Sequence, residues 1–275
     1  MVTRKIFDCF LYDGEADCLD LRFSEQKDGV DVYLVFESSW SFTGKPKGLR
    51  FMRDAEERGW DLSRLRYFDV SELGFIADDA WATEALQRNY AHHTGDLLDD
   101  DDLFVYSDAD EVISFAALQD LRKININMLP MGCALATSYL FLNYRLVQPT
   151  WVVESTWSIV LSKSLLRETT LFEWRFGAMA GRVPVKIMKN AGWHFSYLMN
   201  AEEVRGKLRK FSHTEFAYAA DMDFDYMSIV NTGSDPLMRD GYKFEIVTPT
   251  LLPLAVLENS DRWSHHLLEF KAEAH

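Results

Sequence analysis

The sequence predicts an α/β protein in which helices flank a central, mainly parallel β-sheet. Apolar, β-favouring segments alternate with segments of helical periodicity over the first 110 residues, a pattern typical of parallel strands joined by right-handed crossovers. The chain has 275 residues, of which 48% are hydrophobic and 14% aromatic, so it can bury a sizeable core. It contains no internal repeat or low-complexity linker. We therefore expect a single domain, residues 1–275.

Four short runs of apolar, β-branched or aromatic residues in the first half predict strands. These runs are residues 5–11, 30–36, 64–70 and 103–106. Apolar residues recur at helical spacing over 13–26 and 79–98, and we predict a helix in each of these segments. The acidic run 99–102 is expected to be a solvated loop between helix and strand, because like charges repel and stay in water.

The second half of the chain is less regular. Apolar segments at 131–146 and 151–161 predict strands or a hairpin, and the segment 186–197 predicts a further strand. Predicted helices lie at 201–211, 215–220, 224–232 and, after a tail rich in glycine and proline, near 261–270.

Composition and charge exclude several classes of partner. The chain has 29 Lys and Arg against 43 Asp and Glu, and its net charge of −14 repels nucleic acid and anionic membranes. No stretch approaches the roughly 18 apolar residues of a membrane span, and the start of the sequence has no apolar core of a signal peptide. Cys9, Cys18 and Cys133 are too scattered for a disulfide framework, which predicts buried thiols. We expect a cytoplasmic protein.

The strand predicted at 103–106 is followed by three carboxylates, Asp108, Asp110 and Glu111. In open α/β sheets ligands bind beyond the carboxyl ends of the strands, and closely spaced acids ionise together at low cost only around a cation. The Asp-x-Asp spacing therefore suggests Mg²⁺ or Mn²⁺ shared with substrate phosphates. An ordinary turn is the alternative, with Ser107 or Asp108 capping the next helix.

Six short segments resemble, in the same order, the family-17 glycosyltransferases, which include the β-1,4-mannosyl-glycoprotein β-1,4-N-acetylglucosaminyltransferases. The segments are residues 6–10, 35–38 with 42–47, 87–89, 107–111, 192–196 and 207–215. The resemblance implies a GT-A type fold, a nucleotide-sugar donor (UDP-GlcNAc in the characterised members), a carbohydrate acceptor, a divalent metal and inversion at the anomeric carbon. It divides the domain into a nucleotide-binding half, 1–115, and an acceptor-side half, 116–275.

For the metal, the resemblance implies that Asp108 and Asp110 hold Mn²⁺ or Mg²⁺ against the donor diphosphate, with Asp110 in direct coordination. His194 is expected to bind the metal or the diphosphate and to take part in catalysis with Asp110; a hydrogen-bonded core histidine is the alternative. Glu111 is expected to orient the metal ligands, or else to be an exposed acid at a helix start.

The donor nucleotide is expected to contact residues near the same edge of the sheet. Asp8 and Glu37 are candidates for hydrogen bonds with uracil or ribose, although Glu37 is equally suited to cap the following loop. Lys45 and Arg88 are candidates for phosphate contacts, and Asn89 lies beside Arg88. For Lys45, a surface salt bridge is the competing interpretation.

Inversion by single displacement needs a base that accepts the proton of the acceptor hydroxyl. We expect a carboxylate, and Glu215 is the first candidate because it lies in a segment that resembles the family. Glu154 and Glu173 are the rivals, and each of the three is open to interpretation as a surface acid.

Two other functions remain open. A sugar nucleotidyltransferase uses similar metal and carboxylate chemistry but releases pyrophosphate rather than UDP. A catalytically degenerate relative would bind the donor or a glycan and release no nucleoside diphosphate.

Overall fold

The computed structural model describes residues 4–153, 156–210, 212–221 and 225–269. These residues form ten strands, which are β1 (Ile6–Leu11), β2 (Val32–Glu37), β3 (Leu65–Asp69), β4 (Leu103–Tyr106), β5 (Glu111–Ile113), β6 (Met131–Tyr139), β7 (Tyr144–Gln148), β8 (Thr156–Ser162), β9 (Lys186–Ser196) and β10 (Lys243–Ile246). They also form nine α-helices, which are α1 (Ala16–Gln26), α2 (Phe51–Arg58), α3 (Ala80–Asn89), α4 (Phe115–Leu121), α5 (Thr150–Val153), α6 (Ala201–Leu208), α7 (Tyr226–Thr232), α8 (Leu254–Glu258) and α9 (Ser260–Trp263).

The ten strands join one sheet. Eight lie in the order β10-β7-β6-β8-β4-β1-β2-β3, and β9 pairs with both β6 and β5. Strand β1 runs parallel to β2 and β4, and β2 runs parallel to β3. In the second half, β8 is antiparallel to β4 and β6, and β7 is antiparallel to β6 and β10. The predicted α/β class with a central sheet is confirmed. The sheet as a whole is mixed, and its parallel core comes from the first half of the chain.

Strand β4 is buried on both faces. Leu103 and Val105 pack in one hydrophobic core together with Phe10, whereas Phe104 and Tyr106 pack in a second core. Alternate residues of a strand face opposite sides of the sheet, so a strand covered on both sides has a continuous apolar sequence. Because β1, β2 and β4 are parallel, their carboxyl ends meet at one edge, where the polar loops after them come together.

Four parts of the fold differ from the prediction. The helix predicted over 79–98 is α3 followed by the 3₁₀ segment Tyr90–Leu97, in which the Thr94 hydroxyl donates to the carbonyl of Ala91 (2.7 Å) and competes with helical bonding. Helix α2 lies where no element was predicted, and β10 lies in the tail predicted as loop. The last helix, predicted near 261–270, is shortened to α9 and one 3₁₀ turn.

Most other elements lie within a few residues of their predicted positions. These are β1, β2, β3, β4, β9, α1, α6 and α7. Cys9, Cys18 and Cys133 are buried free thiols, as predicted. Across the described ranges, the helices are all too short or too polar to cross a membrane.

Candidate active site

A four-residue turn, 107–110, joins β4 to β5 and carries the Asp-x-Asp pair. The guanidinium of Arg22, on α1, donates to the carbonyl oxygens of Asp108 (2.8 Å) and Glu111 (2.7 Å). Two other Arg22 hydrogen bonds, of 2.7 and 2.5 Å, go to the two carboxylate oxygens of Asp8. Arg22 is 0% and Asp8 1% exposed, so this pair lies in the interior. The Asp8 carboxylate, predicted to contact uracil or ribose, is therefore used to hold Arg22 against the turn.

The Asp108 carboxylate lies between two arginines. Arg88, on α3, donates to Oδ1 at 2.6 Å, and Arg175 donates to Oδ2 at 2.7 Å. Arg175 comes from the π-helical segment Glu173–Gly177 and also binds the carboxylate of Glu111, at 2.6 and 2.9 Å. Burial by itself would raise the pKa of Asp108, but the charges of Arg175 and Arg88 outweigh burial and lower the pKa. Asp108 is thus ionised, and both of its oxygens are already engaged.

Asp110 has different partners. Its Oδ2 lies 3.0 Å from Nζ of Lys207, and its Oδ1 lies 3.6 Å from Nε2 of His194, which also lies 2.9 Å from the Ser196 hydroxyl. Burial would raise the pKa of Asp110, but Lys207 and His194 outweigh burial and lower the pKa. The Lys207 ammonium lies 3.3 Å from the carboxylate of Glu15, whose own pKa is raised by burial.

The pairing of β5 with β9 brings His194 to the Asp-x-Asp turn. Glu111 lies opposite His194 in this antiparallel pair. The close approach depends on Gly192, because a Cβ at this position would lie 2.0 Å from the carbonyl oxygen of Val112. Gly192 also has a φ of +155°, a backbone conformation that residues with side chains rarely adopt. Glycine at this position therefore helps to place the histidine beside Asp110.

A cleft of about 240 Å³ lies between the loop 13–15, which follows β1, and helix α6. Three cations line this cleft, namely Arg50, Lys207 and Lys210, together with acidic residues of the loop and of α6. In a chain with a net charge of −14, a diphosphate can bind only where placed cations offset the overall repulsion. The three cations of the cleft are potential phosphate ligands, but four carboxylates, those of Asp13, Glu15, Glu202 and Glu203, line it as well, so a diphosphate there would also need the charge of a metal ion. Lys207 connects the cleft to Asp110.

The chemistry of Asp110 and His194 fits a hard divalent cation. A carboxylate oxygen and an imidazole nitrogen converge there, and Mg²⁺ and Mn²⁺ commonly take one or two protein ligands and complete their coordination with substrate phosphates and water. Asp108, the other predicted ligand, accepts one hydrogen bond on each oxygen, from Arg88 and Arg175, and its side chain is 30% exposed, so its role as a metal ligand stays a prediction.

Within the described parts of the chain, three ligand groups approach one another to within 4.8 Å at one place, formed by Asp17, His265 and His266. There, Asp17 accepts a hydrogen bond from Arg58 at 2.7 Å and lies 3.2 Å from His266. This cluster joins α1 to the end of the chain as an ion-pair network and is separate from the Asp-x-Asp turn.

The comparison with protein-family models identifies the family of this chain. A model described as glycosyltransferase family 17 matches residues 1–232. The chain belongs to this family. The resemblance inferred from six short segments is thereby confirmed.

Among curated relatives, this family-17 chain is similar to β-1,4-mannosyl-glycoprotein 4-β-N-acetylglucosaminyltransferases. It is 30% identical to the Homo sapiens protein and 29% identical to the Mus musculus protein, over 120 residues in each case. The match covers 40% of this chain and 22% of each relative, so the chain spans about a fifth of their length.

Solved structures similar to this family-17 chain include glycosyltransferases and a nucleotidyl-transferring enzyme. The galactosyltransferase LgtC has a TM-score of 0.36 and 12% identity, covering 98% of both chains. The 4-diphosphocytidyl-2C-methyl-D-erythritol synthase has a TM-score of 0.41 and 13% identity, covering 68% of this chain and 90% of the other. These scores are low, and the description of the fold rests on the strand order given above.

Three residues predicted to contact the donor lie in other positions. Glu37 accepts hydrogen bonds from the amides of Arg50 (2.7 Å) and Phe51 (3.1 Å), so it caps the N-terminus of α2, and burial raises the pKa of Glu37. Lys45 is an exposed side chain on the loop after β2. The side-chain oxygen of Asn89 accepts from the amide of Phe172 at 3.0 Å. Glu37 and Asn89 thus bind backbone amides, and only Lys45 projects into solvent.

Glu215 and Glu173, two of the predicted bases, are paired with residues outside the turn 107–110. Glu215 is half exposed and lies 2.6 Å from Nδ1 of His213. Burial raises the pKa of Glu215, but the hydrogen bond and charge of His213 and a backbone hydrogen bond together outweigh burial and lower the pKa. Glu173 pairs with Arg182 at the surface, and Glu154 lies outside the described residues.

Four residues of the site were not singled out from the sequence. Arg22 and Arg175 are single charges among apolar neighbours and belong to no recognisable motif. Glu15 follows a predicted strand and likewise belongs to no motif. Lys207 opens a segment that resembles the family, which is the signal that would have found it.

Proposed function

We propose that this chain is a metal-dependent, inverting glycosyltransferase that transfers a sugar from a UDP-sugar donor to a hydroxyl of a carbohydrate acceptor. The observation that carries the proposal is the convergence of Asp110, His194 and Lys207 beside a charged cleft, which contains Arg50 and Lys210 as well as four carboxylates, at the carboxyl edge of the parallel strands. Family-17 membership supports the reaction class, and the relatives' name supports GlcNAc as the transferred sugar. The cytoplasmic location stays a prediction.

In this proposal the donor diphosphate lies in the cleft against Lys207, Lys210 and Arg50, whose positive charges offset those of the phosphates. Asp110 and His194 would hold the Mn²⁺ or Mg²⁺, which acts as a Lewis acid and stabilises the leaving diphosphate. Arg88 and Arg175 act as positioning residues, because they hold Asp108 and thereby the turn that carries Asp110.

The acceptor hydroxyl must lose its proton as the new bond forms. Glu215 remains the proposed base, because its segment resembles the family and its carboxylate is ionised at neutral pH. The contact with His213 lowers its pKa, which weakens it as a base until an acceptor displaces the histidine. Its exposure of 56% leaves it accessible to an acceptor.

The proposal is tested by measuring nucleotide products from UDP-GlcNAc with a panel of oligosaccharide acceptors, with and without Mn²⁺. We expect release of UDP that depends on Mn²⁺ and on an acceptor. Asp110→Asn should lower kcat/KM by about 100-fold or more, because a ligand of the charge-stabilising group is lost. Asp101→Asn, an exposed acid in the loop 99–102, is the matched control and should change little.

The alternatives give different results in the same assay. Release of pyrophosphate instead of UDP would identify a nucleotidyltransferase. Binding of UDP-GlcNAc without release of any nucleotide would identify a degenerate relative. Full activity of Asp110→Asn would exclude the proposed role of this turn.

A further inference from the structure

Lys207 is shared between two carboxylates that are almost buried. Its Nζ lies 3.0 Å from Oδ2 of Asp110 and 3.3 Å from Oε1 of Glu15. The side chains of Asp110 and Glu15 are 7% and 10% exposed, and that of Lys207 is 19% exposed. Glu15 is itself fixed, because its second oxygen accepts from the amide of Asp13 at 2.9 Å. The ammonium therefore neutralises an acidic pair that has little water around it.

The same ammonium competes with a divalent cation for Asp110. If both bound this carboxylate, their charges would lie about 4 Å apart, where sparse water screens the repulsion weakly. The carboxylate of Asp110 can satisfy one of them at a time at low cost. With no nucleotide present, Lys207 has the advantage over the cation. It belongs to the same chain as Asp110, so its binding does not depend on the concentration of a free ligand.

A diphosphate in the cleft reverses this preference. Lys207 lines the cleft beside Lys210 and Arg50, so phosphate oxygens can accept its hydrogen bonds in place of Asp110. The phosphates also offer oxygen ligands to the cation that Asp110 and His194 would hold. Lys207 and the cation then share the negative charge of the phosphates instead of competing for one carboxylate.

We propose that Lys207 keeps a divalent cation off Asp110 until a nucleotide diphosphate enters the cleft, and that its ammonium then moves from Asp110 to the phosphates. The inference rests on the metal-binding role of Asp110 and His194 proposed above. Lys207 would thereby act as a positioning residue that makes metal binding conditional on the donor.

The test is a Mn²⁺ titration of the full chain, followed by the electron paramagnetic resonance signal of free Mn²⁺, with and without UDP. We expect UDP to raise the Mn²⁺ affinity of the wild-type protein at least tenfold. Lys207→Met should bind Mn²⁺ without UDP at least tenfold more tightly than the wild type, and it should bind UDP more weakly. A residue with a purely structural role would not give a gain in Mn²⁺ affinity when it is replaced.

Two control variants locate the effect. Lys210→Met removes a cation from the same cleft without touching Asp110, and its Mn²⁺ affinity in the absence of UDP should match that of the wild type. Combining Asp110→Asn with Lys207→Met should abolish the gained affinity. If circular dichroism shows that Lys207→Met does not fold, Lys207→Gln replaces it.

Equal Mn²⁺ affinity of the wild type and Lys207→Met without UDP would overturn the inference while leaving the proposed function intact. Tight Mn²⁺ binding by the wild type alone, unchanged by UDP, would overturn it without any variant. If no Mn²⁺ binds even with UDP, the metal role of Asp110 is refuted and this inference with it.

Discussion

Two aspartates separated by a single residue have different roles because they have different partners. Asp108 lies between Arg88 and Arg175, whereas Asp110 lies near Lys207 and His194. Arg175 is buried and also binds Glu111, so it stays paired with Asp108. The ammonium of Lys207 lies at the edge of a cleft, where a ligand can take the place of Asp110. In the proposed function, Asp108 anchors the turn and Asp110 is the group that exchanges Lys207 for a ligand.

Replacing Arg175 by methionine should strongly destabilise the protein. The side chain of Arg175 is 3% exposed and pairs with Glu111, which is 0% exposed, and with Asp108. Removing one partner leaves buried charge uncompensated, which costs about 3–5 kcal/mol in the free energy of unfolding. Urea unfolding of Arg175→Met against the wild type measures this cost.

Arg182→Met is the control, because Arg182 forms an arginine–glutamate pair with Glu173 at the surface. Its free energy of unfolding should change little, since water screens exposed pairs. A similar cost for both variants would show that the burial of Arg175 is not what makes it important.

At the scale of secondary-structure elements, the site depends on strand β5, which has only three residues. Its pairing with β9 sets Glu111 opposite His194, and the turn before it carries Asp110. Neither the strand nor the pairing has a strong local sequence pattern. Both follow from Gly192, which permits the contact, and from the buried apolar residues Val112 and Ile113.

Gly192→Ala should therefore disrupt this pairing. The added Cβ would meet the backbone of β5 at 2.0 Å from the Val112 carbonyl, so the strands must separate or the backbone must distort. We expect a large fall in melting temperature and a loss of Mn²⁺ binding in the presence of UDP, because His194 moves away from Asp110.

Gly206→Ala is the matched control for Gly192→Ala. Gly206 lies inside α6, and a Cβ there would contact nothing within 4 Å. Alanine should stabilise this helix by about 0.5–1 kcal/mol, since it loses less conformational freedom on folding. If Gly192→Ala leaves both the melting temperature and Mn²⁺ binding unchanged, the close approach of β5 and β9 is unimportant.

At the scale of the whole molecule, the last described segment, around residues 262–266, packs against the first helix. His266 lies 3.2 Å from Asp17, and Arg262 lies 2.9 Å from Asp20. Arg58, on α2, binds both aspartates, at 2.7 and 2.6 Å. Helix α1 therefore joins α2 and the last described segment through one network of charges.

This network should give the stability of the protein a defined pH dependence. Burial would raise the pKa of Asp17, but His266 and Arg58 outweigh burial and lower the pKa to about 2. A carboxyl whose folded pKa is below its unfolded value of about 3.9 stabilises the fold above that value, and the contribution is lost as pH falls through the folded pKa. We expect the difference in unfolding free energy between the wild type and Asp17→Asn to shrink as the pH falls from about 4 to 2. Urea titrations at each pH measure it, and a constant difference would refute this role of Asp17.

The sequence predicted what is local and missed what depends on distant contacts. Strand β4 and Asp110 were predictable because apolar runs and acid spacing are written in a few consecutive residues. The partners of the turn come from far along the chain: Arg22 is 86 positions from Asp108, and Lys207 is 97 positions from Asp110. Asp8 was misplaced for the same reason, since its pairing with Arg22 is visible only once α1 has packed on the sheet.

The hydrogen bonds between Arg22 and the turn have a consequence for protein engineering. The peptide 107–111 obtains its shape from a guanidinium that a separate helix supplies, and that guanidinium is itself oriented by Asp8 on β1. Grafting the five-residue loop onto an unrelated scaffold would transfer the acids without Arg22, which holds the loop in its conformation. A transferable unit needs β1, α1, β4 and its loop, together with the segments that carry Arg88 and Arg175.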